Sequence, residues 1–197
     1  PSGYRRGVRT QAVPLMMDRK PTVEEVRAAR GSRVPDVLRK GLDVVFCGIN
    51  PGLYSGAVGA HFARPGNRFW RALSDSGLTD RVLGPRDEDE LLSYGLGITN
   101  LVNRATAVAA ELSDEDLRRG RGVLKRKIGR YKPKFVAILG IGAYRAAFED
   151  PDARPGLQDE RLHGARVWLL PNPSGLNAHY QRDDLAKRHA VRGVQGA

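Results

Sequence analysis

The chain has 197 residues, 41% of them hydrophobic, one cysteine and a net charge of +11 at pH 7, which suits one well-buried domain and is too short for two large ones. The single Cys47 rules out a disulfide framework and a four-cysteine cluster, and no apolar run approaches the roughly 18 residues of a membrane span. The arginine-bearing start lacks the apolar core of a signal peptide, and the basic balance makes nucleic acid the leading partner, so a cytoplasmic monomer is expected, nucleoid-associated if bacterial.

Residues 1–21 carry Arg5, Arg6, Arg9, Arg19 and Lys20 against Asp18, with Pro14 and Pro21 interrupting regular structure, and read as a flexible basic arm. In Thr22-Val23-Glu24-Glu25 a hydroxyl and a carboxylate stand where each can satisfy the other's free backbone amide. That spacing predicts a short helix to about Arg30, stopped by Gly31. Residues 31–42 then form a linker, so that 1–40 are a basic extension and 41–197 a single domain. Residues 43–47 are dense in β-branched and aromatic side chains and predict a strand buried on both faces.

That strand leads into Gly48-Ile49-Asn50-Pro51-Gly52. Ligands of open α/β sheets collect beyond the carboxyl ends of the strands. Gly48 allows the backbone close to a ligand, and Pro51 keeps Asn50 extended, its amide aimed into the crevice. Residues 53–66, with Ser55, His61 and Phe62, read as a long glycine-rich loop. Asn67 caps a helix carrying Phe69, Trp70 and Leu73 on one face and ending near Gly77. Residues 96–102 form a second strand.

Ser113-Asp114-Glu115-Asp116 opens a helix striped by Leu117, Leu124, Ile128 and Tyr131. Its other face, with Arg118, Arg119, Arg121, Lys125, Arg126, Lys127 and Arg130, is expected to be solvated surface. Residues 135–140 are a third strand running into a helix over about 143–148, and 149–160 a loop. A hairpin about His163-Gly164 feeds the last strand, which ends in Asn172-Pro173-Ser174-Gly175-Leu176-Asn177, and a helix from Asp183 to about Val191 closes the chain. Strands alternating with helices predict a three-layer α/β/α fold with a largely parallel central sheet.

Several chemistries are disfavoured. The Asn50 turn lacks the third glycine of a dinucleotide fingerprint and the Gly-Lys-Ser/Thr of a phosphate loop. His61, His163, His179 and His189 show no ligand spacing, there is no acidic cluster for two-metal chemistry, and Ser174 is not in a hydrolase elbow. Neither a cofactor nor a metal is expected.

Val44-Val45-Phe46-Cys47-Gly48-Ile49-Asn50-Pro51-Gly52-Leu53, Pro65-Gly66-Asn67-Arg68-Phe69-Trp70, Gly97-Ile98-Thr99-Asn100-Leu101-Val102 and Leu170-Pro171-Asn172-Pro173-Ser174-Gly175-Leu176 occur in that order. Together, over about residues 42–192, they resemble the mismatch-specific uracil-DNA glycosylase and thymine-DNA glycosylase family. The resemblance implies a uracil-DNA glycosylase-like fold. It also implies hydrolysis of the N-glycosidic bond of uracil, with thymine and damaged pyrimidines as further candidates, in mismatched double-stranded DNA by base flipping, leaving an abasic site.

For individual residues, it implies that Asn50 holds water below the sugar. Asn100 is the second catalytic candidate, a buried structural asparagine being the alternative. Gly48, Ile49, Gly52, Ser55, Phe62 and Asn172 would bind substrate, Phe62 by stacking on the flipped base, and Ser174, Gly175, Leu176 and Asn177 would bind DNA as a wedge filling the vacated stack. The chemistry fits these residue types: a sugar cation and a departing pyrimidine anion need a placed water and amide donors more than a strong base. Tyr54 is bulky beside the expected pocket and weighs against thymine, and Ala178-His179 stand where some relatives carry an arginine. No lysine or terminal amine is placed for a Schiff base, so the enzyme is expected to be monofunctional. The rivals are a non-catalytic nucleic-acid-binding module on the same fold and a nucleoside hydrolase, which the charge disfavours.

Overall fold

The computed structural model describes residues 19–173. In chain order these form α1 (Val23–Ala28), β1 (Val44–Gly48), α2 (Leu53–Val58), α3 (Phe69–Asp75), a 3-10 helix (Pro85–Tyr94), β2 (Leu96–Asn100), a 3-10 turn (Ala109–Glu111), α4 (Asp114–Tyr131), β3 (Phe135–Leu139), α5 (Ile141–Phe148), β4 (Gly156–Leu162) and β5 (Ala165–Leu170). The five strands make one sheet in the order β2-β1-β3-β5-β4, parallel except for β4, which is antiparallel to β5.

Because strand side chains alternate between faces, a doubly buried strand supplies two cores at once. Val45, Cys47, Val136, Ile138, Val167 and Leu169 pack with Leu117, Leu124 and Ile128 of α4 and Tyr144 and Phe148 of α5. On the other face, Val44, Phe46, Leu96, Ile98, Ala137 and Leu139 meet Phe69, Trp70 and Leu73 of α3 and Leu91 of the 3-10 helix. The fold is therefore the expected three-layer α/β/α arrangement.

Local signals act as the sequence predicts at both acidic helix starts. Thr22 Oγ1 accepts from the Glu25 amide, whose carboxylate accepts from the Thr22 amide in return. Ser113 and Asp116 repeat this at α4, both bonds at 3.1 Å. Asn67, expected to cap α3, lies one residue before the cap position, which is Arg68 and carries no side-chain cap; the Asn67 Oδ1 instead accepts from the Phe69 amide at 2.9 Å. The β4–β5 hairpin turns on His163 and Gly164 at φ 48 and 90, the two left-handed positions that match the twist of the paired strands.

Other parts depart from expectation. Residues 53–58 are helical rather than loop. Gly56 stands inside this helix because a Cβ there would lie 2.4 Å from Ser32 Oγ and 2.8 Å from Ala105 Cβ, so this glycine serves close packing. β4 begins at Gly156, inside the expected loop over 149–160; Leu157, Asp159 and Arg161 are exposed on it, and such an edge strand carries no apolar run to reveal it. The stretch read as a linker is packed, with Val34, Val37 and Leu42 at 0%, 4% and 0% exposure. Val37 exchanges two 2.9 Å backbone hydrogen bonds with Ile98 along the outer edge of β2.

The basic face of α4 is also not uniform. Lys127 turns inward, its Nζ 2.7 Å from Asp36 Oδ2 and donating to Thr99 Oγ1 at 2.8 Å. Arg118 and Arg119 pair with Glu115, and Lys125 with Glu160, so much of the charge is locally balanced. Cys47 is fully buried, as expected, and burial pushes its thiol up to about 12. No described helix is long and apolar enough to cross a membrane. The basic arm before residue 19 and the helix expected over 183–191 lie outside the described residues.

Candidate active site

The register aligns the carboxyl ends of the parallel strands: Gly48 is level with Asn100, and Leu139 with Leu170. Just beyond them opens a cleft of about 560 Å³, walled by residues 48–55 after β1, Asn100, Thr106 to Ala109 and Asn172. His61, Phe62, Arg64 and Asn67, from the segment between α2 and α3, complete it.

Asn50 stands in this cleft with its amide orientation fixed by chemistry. The Nδ2 group donates to the carbonyls of Pro51 at 3.0 Å and Arg104 at 3.1 Å, and to Thr106 Oγ1 at 2.7 Å. A carbonyl can only accept, so the NH2 end must face these groups. The Thr106 hydroxyl in turn donates to the Val108 carbonyl at 2.9 Å, leaving its own lone pairs to Asn50. Oδ1 makes no hydrogen bond to a described residue and is the end left to the cleft. The amide stands in the crevice as expected, and the structure adds which end does what: the N–H groups anchor the side chain, and an acceptor oxygen is presented.

Asn100 is 3% exposed at the end of β2, and its Nδ2 is buried without a partner among the described residues. Its Oδ1 lies 2.5 Å from where a Cβ on Gly48 would be. Gly48 is thus required for the close approach of Asn100 as much as of any ligand. Phe62 stacks on Phe69 with ring centroids 4.1 Å apart at 25°, and Phe69 meets Phe46 edge-on at 5.3 Å, so the cleft's aromatic wall is braced from the core. Phe62 holds this position at φ 51, a left-handed conformation of order 1 kcal/mol or more above the ordinary regions.

Ser55 is buried, and its Oγ accepts from the Ala63 amide at 3.1 Å, tying α2 to the Phe62 segment. Beside Phe62, the His61 amide donates to Glu88 Oε2 at 2.8 Å, and the ring Nδ1 lies 3.2 Å from the same oxygen. The ring's other nitrogen, Nε2, is buried without a partner among the described residues.

The family model described as the uracil DNA glycosylase superfamily matches residues 35–194. The chain belongs to this superfamily. Among solved structures it is similar to a solution NMR structure of a candidate uracil DNA glycosylase from Methanosarcina acetivorans, with a TM-score of 0.55 and 20% identity, covering 84% of this chain and 98% of that one. At that identity the likeness speaks for the fold.

Within the superfamily domain, the structure brings Gly48, Ile49, Asn50, Gly52, Ser55, Phe62, Asn100 and Asn172 to one cleft, as the sequence predicted. Ser174, Gly175, Leu176 and Asn177 lie outside the described residues. Sequence reasoning missed the Arg104 carbonyl and Thr106. The signal was available: these residues follow the end of β2, which neighbours β1, and the loops after adjacent parallel strands share one crevice. Val26 of α1 was also missed as a lining residue.

Proposed function

We propose that this superfamily member is a monofunctional DNA glycosylase that hydrolyses the bond between uracil and deoxyribose at mispaired sites of double-stranded DNA. The observation that carries the reading is the anchored Asn50 amide, whose Oδ1, unbonded among the described residues, is an acceptor held beside an aromatic wall at the carboxyl ends of the strands.

In this reading the pyrimidine leaves the helix, at a cost of a few kcal/mol that is least at a mismatch. Phe62 stacks on it, its ring already braced by Phe69. The C1′–N1 bond breaks, its electron pair leaving with the base. Asn50 Oδ1 accepts a hydrogen bond from a water, turning the water's lone pair toward the sugar cation. The new C1′–O bond completes an abasic deoxyribose, the water's extra proton passes to solvent, and uracil is released after taking up a proton. Asn100 Nδ2, buried at the cleft wall and without a partner among the described residues, is the proposed donor to the negative charge growing on a pyrimidine oxygen once the base is seated, and one such donor is worth about 10²–10³ in rate. An amide cannot take the proton outright, so the chemistry is slow compared with a carboxylate-assisted site.

Ser174 to Asn177 fill the gap left in the stack and contact the opposite strand, which is the proposed source of mismatch preference. Tyr54, on the cleft wall, disfavours the methyl of thymine.

The test is excision from labelled duplexes carrying uracil opposite guanine or adenine, and from single-stranded uracil DNA, by wild type and Asn50→Ala. Alkali-cleavable sites with wild type, reduced at least about a hundredfold in the variant, support the reading. A wild-type chain that binds all three substrates without excision supports a non-catalytic binding module instead.

A further inference from the structure

We propose that residues 29–34, which precede the region matched by the family model, are a positioning clamp for Asn50. The inference rests on the glycosylase reading above and extends it to a segment that contributes none of the proposed reacting groups.

The contacts converge on the turn that anchors the Asn50 amide. Gly31 N–H donates to the Ala105 carbonyl at 2.9 Å, and Ala105 N–H donates to the Ser32 carbonyl at 2.8 Å. Ala105 sits between Arg104 and Thr106, whose carbonyl and hydroxyl hold Asn50 Nδ2. On either side, Val34 N–H donates to Asn103 Oδ1 at 3.2 Å, and the Arg30 guanidinium pairs with Glu111. The second oxygen of Glu111 accepts from the amides of Ala107 at 3.0 Å and Val108 at 3.2 Å, so this pair reaches the far end of the same turn.

A third element closes the arrangement. At Gly56 of α2 a Cβ would lie 2.4 Å from Ser32 Oγ, 2.8 Å from Ala105 Cβ and 3.3 Å from the Ala29 carbonyl, so α2, the segment and the turn touch at one point. Val26, one turn upstream, lines the cleft itself.

Ala29 and Val34 of the segment are buried, but they lie outside the two clusters that pack the faces of the sheet. α1 buries none of its own residues, and no residue from 22 to 34 belongs to either core cluster. What the segment holds is the 103–111 turn. Misplacing a reacting group by about 1 Å can cost on the order of 10² in rate, so a peripheral clamp has leverage over catalysis without touching substrate.

Gly31 is the position at which to open it. Its φ of 80 is accessible to asparagine but closed to proline, which also lacks the N–H given to Ala105. The experiment uses full-length Gly31→Pro and Gly31→Asn beside wild type. The readouts are single-turnover excision of uracil opposite guanine, affinity for the same duplex with cleavage-resistant 2′-fluorodeoxyuridine, melting temperature, and hydrogen exchange at the Ala105 amide.

Expected for Gly31→Pro is loss of Ala105 protection and a fall in excision rate of at least about tenfold, with affinity and cooperative melting retained; Gly31→Asn retains all four. An excision rate within about twofold of wild type overturns the proposal, as does an Ala105 amide that stays protected, because the turn then does not depend on the segment. Parallel loss of affinity and rate also overturns it, since the segment then serves binding. A wild-type chain inert on every uracil duplex sinks the glycosylase reading instead, and the exchange comparison alone then decides whether the segment holds the turn.

Discussion

Thr106→Val tests the anchoring of Asn50 directly. The substitution preserves side-chain shape at a site 1% exposed and replaces only the hydroxyl, by a methyl. Of the three acceptors around Asn50 Nδ2, that hydroxyl is the nearest, at 2.7 Å against 3.0 and 3.1 Å for the Pro51 and Arg104 carbonyls. The amide has two N–H groups, so two acceptors remain and the side chain is loosened rather than freed. A neutral hydrogen bond contributes about 0.5–1.5 kcal/mol net. If all of that serves to orient Oδ1 in the transition state, the rate falls roughly 2- to 12-fold. Single-turnover excision of uracil opposite guanine, read as alkali-cleaved strand, measures it, with Asn50→Ala as the floor. Thr106→Val as fast as wild type refutes the claim that this bond orients Asn50. Thr106→Val as slow as Asn50→Ala refutes it in the other direction, because the hydroxyl would then act on substrate itself.

Asn50→Asp should not accelerate excision at pH 7: its second oxygen would face the carbonyls of Pro51 and Arg104, neither of which can donate, and the same assay compares it with wild type. Gly48→Ala drives a methyl to 2.5 Å from Asn100 Oδ1 and 3.4 Å from Phe62 Cζ; overpacking of this kind costs about 1–3 kcal/mol, visible as a lower urea midpoint together with slowed excision. The Cys47 thiol, pushed from 9.0 to about 12 chiefly by burial, favours the folded state only while it stays protonated. Its contribution is therefore complete below pH 9 and is lost as pH rises toward 12; three units correspond to on the order of 4 kcal/mol. Urea unfolding at pH 8 and pH 10.5 should show a smaller alkaline loss in Cys47→Ala, and an equal loss in both proteins would reject the assignment.

β1 and β3 were legible as short, continuous apolar runs buried on both faces, and β2, Leu96-Gly97-Ile98-Thr99-Asn100, as a short run around Leu96 and Ile98 bracketed by turns. β4 was only half visible: on the edge of the sheet it alternates Leu157, Asp159 and Arg161 outward, and charged residues at period two resemble a loop. α2 was hidden by glycines that the sequence offers as flexibility and the fold uses as clearance, most plainly Gly56. Lys127 illustrates the same blindness on α4, since its neighbours are surface cations and nothing local announces Asp36, 91 positions away.

At the site, a glycine, an asparagine and a proline after a buried strand were enough to locate Asn50. The direction of its amide was not readable, because the groups that fix it come from residues 54 and 56 positions further along. Asn100 was placed correctly at the end of the neighbouring strand, but the lack of a partner for its Nδ2 among the described residues is a property of packing and not of spacing.

Both margins of the sheet bear on how the protein behaves at high concentration. Strand edges with free backbone groups recruit other chains, and proteins counter this with charge or with cover. Here the outer side of β2 is occupied by Val37, and β4 turns Asp159 and Arg161 to solvent. Among the described residues, the Val37 bridge covers one position of β2 and charge marks β4, and both reduce the strand edge offered to a second copy of the chain.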